Sequence, residues 1–331
     1  MKLTSIPGAI YNEFIASALM IITPEYRTLK AVQKRSSDKK DALTEYKMSF
    51  QFMTIKGLRL RYSVAGNESG PAILFLSPLP QSIRCFEQIW PSLSSMFRLI
   101  ALDLPGFGRS EGGHEVMNAE AQSEILDLFV RKLGITDFHL VGPDVGLPVA
   151  LHYAIHRDHS LNSLILGDGP CVTPSSNGSI IDRAVTSPLW RLIFKIGGAG
   201  PFVVGANKLA YVNYSPSEDE IQDYFSSYRG RIPAVMQWFK AYPEIIGSIE
   251  PHLPDVDLPI QIFWGEDDQL LLVKTAYQFQ ERLKNAKLRV FEECGHFSYQ
   301  DKREDFAQMV NDWVDGGYAE LTKAKSGLGV I

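Results

Sequence analysis

The stretch that most constrains this chain is Val141-Gly142-Pro143-Asp144-Val145-Gly146, because it joins two elements of opposite kind with almost no chain between them. Before it, Phe138-His139-Leu140-Val141 is a short apolar run that reads as a buried strand. After it, Leu147 to Ala154 reads as a helix whose Pro148 falls in the first turn, where an N–H would have no intrahelical acceptor. Glycines on either side let the backbone reverse sharply and lift the Asp144 side chain clear of the strand. Two roles suit an aspartate there. It can cap the helix, since Asp is a favoured N-cap residue, or it can act as a nucleophile, since an ionised carboxylate attacks carbon without a base to activate it.

The surrounding pattern places that turn in a sheet. Met48 to Ile55 and Leu58 to Val64 alternate as two strands joined at Lys56-Gly57, a hairpin signal. Ala72 to Leu76, Leu99 to Leu102, Phe138 to Val141 and Leu161 to Leu166 are short apolar runs separated by helical stretches at Phe86–Phe97, Ala119–Leu133 and the helix after Asp144. Such alternation predicts an α/β fold with a doubly wound, mostly parallel sheet, whose functional residues belong at the carboxyl ends of the strands. Strands resume at Pro259 to Trp264 and Leu288 to Phe291, with helices from Lys274 to Leu283 and Arg303 to Val314.

Between these two halves the alternation stops. The expected organisation is a core of residues 48–169 and 258–316, a helical cap over 170–257, a helical extension over 1–47 and a loose tail over 317–331. The cap segment is too long for a plain loop, and Ser217-Glu218-Asp219-Glu220 reads as a capping box opening one of its helices. In the extension, Tyr11, Phe14, Ile15, Ala18, Leu19 and Ile22 recur at helical spacing, which predicts an amphipathic helix over 8–22 stopped by Pro24 and followed by a basic stretch. Packing on the core is the favoured role of that helix, with contact to a membrane surface as the alternative.

Composition narrows the partner. A net charge of −5 gives no global basic field for nucleic acid, so a small-molecule substrate is expected. The three cysteines, Cys85, Cys171 and Cys294, are far apart, which fits a reducing, cytoplasmic location and gives no cysteine metal site. His152 and His156 stand at H-x-x-x-H spacing without the glutamate of a zinc helix, so neither a metal nor a cofactor is expected. Oligomeric state is not encoded in any of these features.

Two later segments complete the pattern. Trp264-Gly265-Glu266-Asp267-Asp268 follows one strand and Cys294-Gly295-His296-Phe297 follows the next. A nucleophile, an acid and a histidine in that chain order, each just past a different strand, is the α/β-hydrolase arrangement. From Met48 to Val314 the chain resembles the α/β-hydrolase fold superfamily, and within it the aspartate-nucleophile branch of epoxide hydrolases and haloalkane or haloacetate dehalogenases. Asp103-Leu104-Pro105-Gly106-Phe107-Gly108-Arg109-Ser110 looks like that family's turn after the fourth strand.

The resemblance implies roles residue by residue. Asp144 would form an alkyl ester, His296 would activate water to hydrolyse it, and Asp268 would orient the imidazole, with Asp168 competing for that last role. Val145 and Leu79 would supply the oxyanion-hole N–H groups, with Leu79-Pro80 a candidate cis peptide, in a loop where Ser77-Pro78 replaces the family's usual His-Gly. Tyr242, Trp238, Tyr211 and Tyr214 are candidates for contact with substrate or leaving group. Phe239 stands where an epoxide-opening tyrosine would be, one turn before Tyr242, and Val145 stands where a halide-binding tryptophan is customary. Arg109 is the available carboxylate binder. These substitutions set epoxide hydrolysis slightly ahead of dehalogenation. Ester or lactone hydrolysis by His-activated water, and a non-catalytic ligand-binding relative, remain alternatives.

Overall fold

The structure, a computed structural model, describes residues 14–16, 23–34, 44–157, 161–173 and 179–321. Eight strands form one sheet in the order β1-β2-β4-β3-β5-β6-β7-β8. Strands β1 (Gln51–Ile55) and β2 (Leu58–Gly66) pair antiparallel through a turn in which Lys56 and Gly57 both have positive φ, as a tight hairpin needs. β2 also runs antiparallel to β4 (Arg98–Leu102). From there β3 (Ala72–Leu76), β5 (Phe138–Pro143), β6 (Leu161–Gly167), β7 (Ile260–Gly265) and β8 (Ala286–Phe291) are parallel. Every residue of β3, Ala-Ile-Leu-Phe-Leu, is buried, as a central parallel strand covered on both faces must be.

Helix α1 (Pro24–Gln33) precedes the sheet. Pro24 opens this helix after an extended Thr23, because a proline at the first helical position loses no hydrogen bond and has its φ already set. The helix expected over 8–22 falls outside the described residues except at 14–16, which are helical, and residues 322–331 of the expected tail also lie outside them. The segment expected as one helix over 86–97 is a 3₁₀ turn (Ile83–Gln88) and the short α2 (Trp90–Leu93). Helix α3 (Ala119–Lys132) is opened by Asn118, whose side chain accepts from Ala121 N at 2.9 Å. α4 (Gly146–His156) follows β5, and on it only His156 and two neighbours escape full burial.

Between β6 and β7 the described chain is helical: α5 (Ile180–Thr186), α6 (Pro188–Gly197), α7 (Ala199–Ala210), α8 (Glu218–Tyr228) and α9 (Ile232–Ile249). The capping box at Ser217 and Glu220 is formed in both directions. α10 (Lys274–Glu281), the single turn α11 (Ser298–Asp301) and α12 (Arg303–Asp312) complete the core.

A buried ionic cluster fastens the inserted helices to the sheet. Arg61 on β2 donates through Nε to Asp103 at 2.5 Å and through both terminal nitrogens to Asp223 on α8 at 2.9 Å each. Ser82 also donates to Asp223, at 2.5 Å. Asp103, at the end of β4, accepts in addition from Ile83 N and Arg109 N at 2.8 Å each. Three charges out of water are tolerated here because every carboxylate oxygen finds a donor.

Candidate active site

At the end of β5 the chain turns onto α4 through Asp144, whose φ is +50°. A Cβ on Gly142 would lie 2.6 Å from the Gly146 carbonyl oxygen, and one on Gly169 would lie 2.3 Å from the Asp144 carbonyl oxygen. Only hydrogen fits at either place, which is why glycines surround the raised side chain. Asp144 is 5% exposed. α4 has no side-chain cap at its N-terminus, and Asp144 Oδ2 instead accepts from Leu79 N at 2.5 Å across the crevice. The carboxylate is therefore turned away from the helix it precedes.

His296, in the loop after β8, brings the rest together. Its Nδ1 lies 2.8 Å from Asp268 Oδ2, and its Nε2 lies 3.8 Å from Asp144 Oδ1. A carboxylate can only accept, so Nδ1 carries the proton toward Asp268. The other Asp268 oxygen accepts from Leu270 N at 2.8 Å and Leu271 N at 2.9 Å, which locks the acid in place. Burial alone would lower the His296 pKa, but the Asp268 charge and the hydrogen bonds and charge of Asp144 outweigh it and hold the imidazole well above its usual value. The His296 ring is thus set between the carboxyl groups of Asp268 and Asp144.

Asp168, the competing acid, does not reach the imidazole with a hydrogen bond. Its Oδ1 accepts from Gly265 N at 3.2 Å, and its Oδ2 accepts from Ser298 N at 3.3 Å and takes a short bond from the Ser298 hydroxyl. Complete burial, and then the nearby Asp268 charge, push its pKa well up, and its three accepted hydrogen bonds tie three loops together.

The Leu79-Pro80 peptide is cis, and Leu79 N faces Asp144. Ser77, standing where the family's histidine is usual, accepts from Leu104 N at 3.0 Å through its hydroxyl, so its side chain is structural. Tyr228 of α8 grips the same loop by donating to Gln81 O at 2.8 Å, while its oxygen accepts from Gly108 N at 3.2 Å. Val145 sits at the N-terminus of α4, where backbone N–H groups have no intrahelical acceptor.

Asp144 and His296 open into a cavity of about 70 Å³, several times what one water requires. Leu79, Leu270, Leu271, Ile193, Phe202 and Phe239 are among its walls, and no lysine or arginine lines it among the described residues. Tyr242 is in the wall; burial, and then the Asp144 charge, raise its pKa well above the usual phenol range, so it is a neutral donor. The other aromatic candidates are corrected by the structure. Trp238 is fully buried against Phe107 and Tyr242 and does not line the cavity. Tyr211 donates to Gln300 at 2.6 Å and Tyr214 to Glu220 at 2.8 Å, so both hydroxyls are spent in a buried network outside the cavity. Arg109 lies 3.5 Å from Asp223, also outside the cavity. Among the described residues no group of three or more His, Cys, Asp or Glu could hold a metal.

Sequence reasoning passed over two contributors. Trp190 of α6 joins the cavity wall. Asp301 accepts from Gly295 N, beside His296, at 2.7 Å, and from Val212 N, Asn213 N and Tyr214 N at 2.8, 2.7 and 2.7 Å, so one carboxylate pins the histidine loop to the inserted helices. Its position five residues after His296 was the only available signal.

Comparison with known proteins bears on the fold and the family. A family model described as the alpha/beta hydrolase fold matches residues 71–302. An uncharacterized protein of Mycobacterium tuberculosis is 26% identical over 284 residues, covering 81% of each chain. A 2-hydroxy-6-oxononadienedioate/2-hydroxy-6-oxononatrienedioate hydrolase of Paraburkholderia xenovorans is 22% identical, covering 82% of this chain and 97% of its own. Among solved structures, the haloalkane dehalogenase DbeA of Bradyrhizobium elkani superposes with a TM-score of 0.71 at 20% identity, covering 84% of this chain and all of that one. With the family model spanning most of the chain, and with the elbow, strand order and loop placements just described, the chain belongs to the α/β-hydrolase fold family.

Proposed function

We propose that this α/β-hydrolase cleaves a C–O or C–halogen bond of an uncharged, apolar small molecule through an ester on Asp144, with epoxides the favoured substrates. The observation that carries the reading is the disposition of the Asp144 carboxylate: Oδ2 is held by Leu79 N at 2.5 Å while Oδ1 faces His296 Nε2 at 3.8 Å, inside an apolar cavity. Oδ1 attacks a ring carbon, the C–O bond opens, and the ring oxygen takes the Tyr242 proton. Esterification removes the Asp144 charge, one of the influences that raise the His296 pKa, so the ring releases any second proton to solvent and is the base that the second step needs. It then takes a proton from water, and the water oxygen attacks the ester carbonyl. The oxyanion forms at Oδ2, against Leu79 N and the N-terminus of α4. Collapse breaks the Asp144 Cγ–Oδ1 bond; the leaving oxygen takes the proton from His296 and departs as a diol, and the water oxygen stays in the Asp144 carboxyl, whose remaining proton passes through solvent to Tyr242.

Dehalogenation is the second reading, favoured by one observation: Trp190 puts an indole in the cavity wall. The dienedioate hydrolases among the relatives take their name from substrates with two carboxylates; a cavity with no lysine or arginine in its described lining does not favour a dianion here. The test is a single turnover of styrene oxide in H₂¹⁸O with enzyme in excess. Label is expected in the peptide containing Asp144, with unlabelled diol. Label confined to the diol would mean direct attack by water and would overturn the ester.

A further inference from the structure

Helix α6 is apolar on two sides. Trp190, Ile193, Phe194 and Gly197 face inward and wall the cavity. Leu189, Leu192 and Ile196, at i, i+3 and i+7, face outward and are 64%, 51% and 79% exposed. A globular helix keeps one apolar stripe, for the core, and gives the other side to charge. Here three of the large exposed apolar side chains gather on one ten-residue helix.

Basic residues outnumber acids on this helix and its neighbours, Asp182 on α5 and Glu25 on α1 being the acids of those helices. Residues 188–210 hold Arg191, Lys195 and Lys208 and no acid, and α1 adds Arg27, Lys30 and Lys34 against one acid, Glu25, in a chain whose net charge is −5. α1 is held against α5 and α7, the helices on either side of α6 in the chain: Glu25 lies 3.8 Å from Arg183 on α5, and Gln33 donates to Tyr211 O, just past α7, at 2.7 Å. Glu25 is buried in that contact, while Arg27, Lys30, Lys34 and Lys195 are exposed.

We infer that α6, flanked by this basic rim, is a docking face for the surface of an anionic phospholipid bilayer, and that the apolar cavity behind it is filled from the lipid phase. Apolar side chains ringed by Lys and Arg are what an interfacial helix presents to anionic headgroups. At ten residues, about 15 Å long, α6 is half the bilayer core and lies on the membrane. α7 continues from it at a bend of 111°, so the pair does not form one straight span. An apolar substrate concentrates in lipid, and the wall between lipid and Asp144 is the thickness of one helix.

The test is flotation of the full chain with vesicles of phosphatidylcholine alone or with about one-third phosphatidylglycerol. The wild type is expected to float with the anionic vesicles, less with the neutral ones, and less again at high salt, where charge attraction is screened. Leu192→Gln/Ile196→Gln, which replaces no residue of the cavity wall, is expected to reduce flotation roughly ten-fold or more, with an unchanged melting temperature. Lys195→Gln is expected to weaken binding to anionic vesicles only. A wild type that stays at the bottom of both gradients, or a double variant that floats as well as wild type, would overturn the inference. So would a wild type that sediments as a dimer without binding vesicles while the variant is a monomer, since the face would then belong to a second copy. Binding is read without turnover, so the result stands apart from the proposed chemistry.

Discussion

Removing the cation from the Arg61 cluster should cost far more than a surface ion pair would. Arg61, Asp103 and Asp223 have side chains 4%, 0% and 9% exposed, and Arg61 contacts both acids. Arg61→Met keeps the stem packed against Phe50 but leaves two buried carboxylates with only the half-exposed Arg109, 3.5 Å from Asp223, as counter-charge. Breaking a buried pair this way costs about 3–5 kcal/mol, or roughly 10 °C in melting temperature. The pH dependence gives a sharper test. Burial would raise the Asp223 pKa, but the Arg61 hydrogen bonds and charge and the Ser82 hydroxyl hold it below its usual value. A depressed acid contributes stability that is present above its unfolded pKa of about 3.9 and lost as pH falls through the folded value. Without Arg61, burial and mutual repulsion raise both acids, and stability is lost as pH rises through the raised values. The difference between variant and wild type, from urea unfolding, should therefore grow from pH 5 to pH 8. A cost below about 1 kcal/mol, or one that does not change with pH, would refute this account of the cluster.

Asp168→Asn tests the buried acid. Burial, and then the Asp268 charge, raise the Asp168 pKa, so its contribution is full below about pH 3.9 and is lost as pH rises through the folded value. The asparagine variant should lose stability less steeply from pH 5 to pH 9, and urea midpoints running parallel to wild type would contradict that. Gly169→Ala puts a Cβ 2.3 Å from the Asp144 carbonyl oxygen. It should cost about 1–3 kcal/mol of stability and most of the turnover, and wild-type kinetics would show that the elbow is not rigid. Tyr242→Phe should slow styrene oxide opening by roughly 10²–10⁴ while leaving 1-bromobutane hydrolysis, if present, unchanged. Equal loss on both would remove Tyr242 as the proton donor.

The sheet is legible in the sequence because burial on both faces demands unbroken apolar runs, and Ala72 to Leu76 shows one. The elbow is legible because glycines must stand at Gly142 and Gly146, where another side chain would strike backbone or a neighbouring strand. Pro24 reads only as a stop, because one residue type both stops helices and starts them, and the helix it opens goes unread. Tyr211 and Tyr214 enter the candidate set on residue type alone. What withdraws them is hydrogen bonding to Gln300 and Glu220, and for Tyr211 the partner is far along the chain. Arg61 and Asp223 are invisible for the same reason: one sits in an alternating strand and the other on a helix opened by a capping box, and only the fold makes them a pair. Asp168 and Asp268 both follow strands, and nothing short of geometry tells which one meets the His296 imidazole.

The central claim is that Asp144 carries the substrate as an ester that His296 is needed to release. His296→Gln keeps the Asp144 anion and its Leu79 N–H while removing the base. After incubation with styrene oxide, intact-mass and peptide analysis of this variant should show one added substrate mass, on the peptide containing Asp144, and no diol. Continued diol formation without an adduct, or an adduct confined to another residue, would contradict the claim.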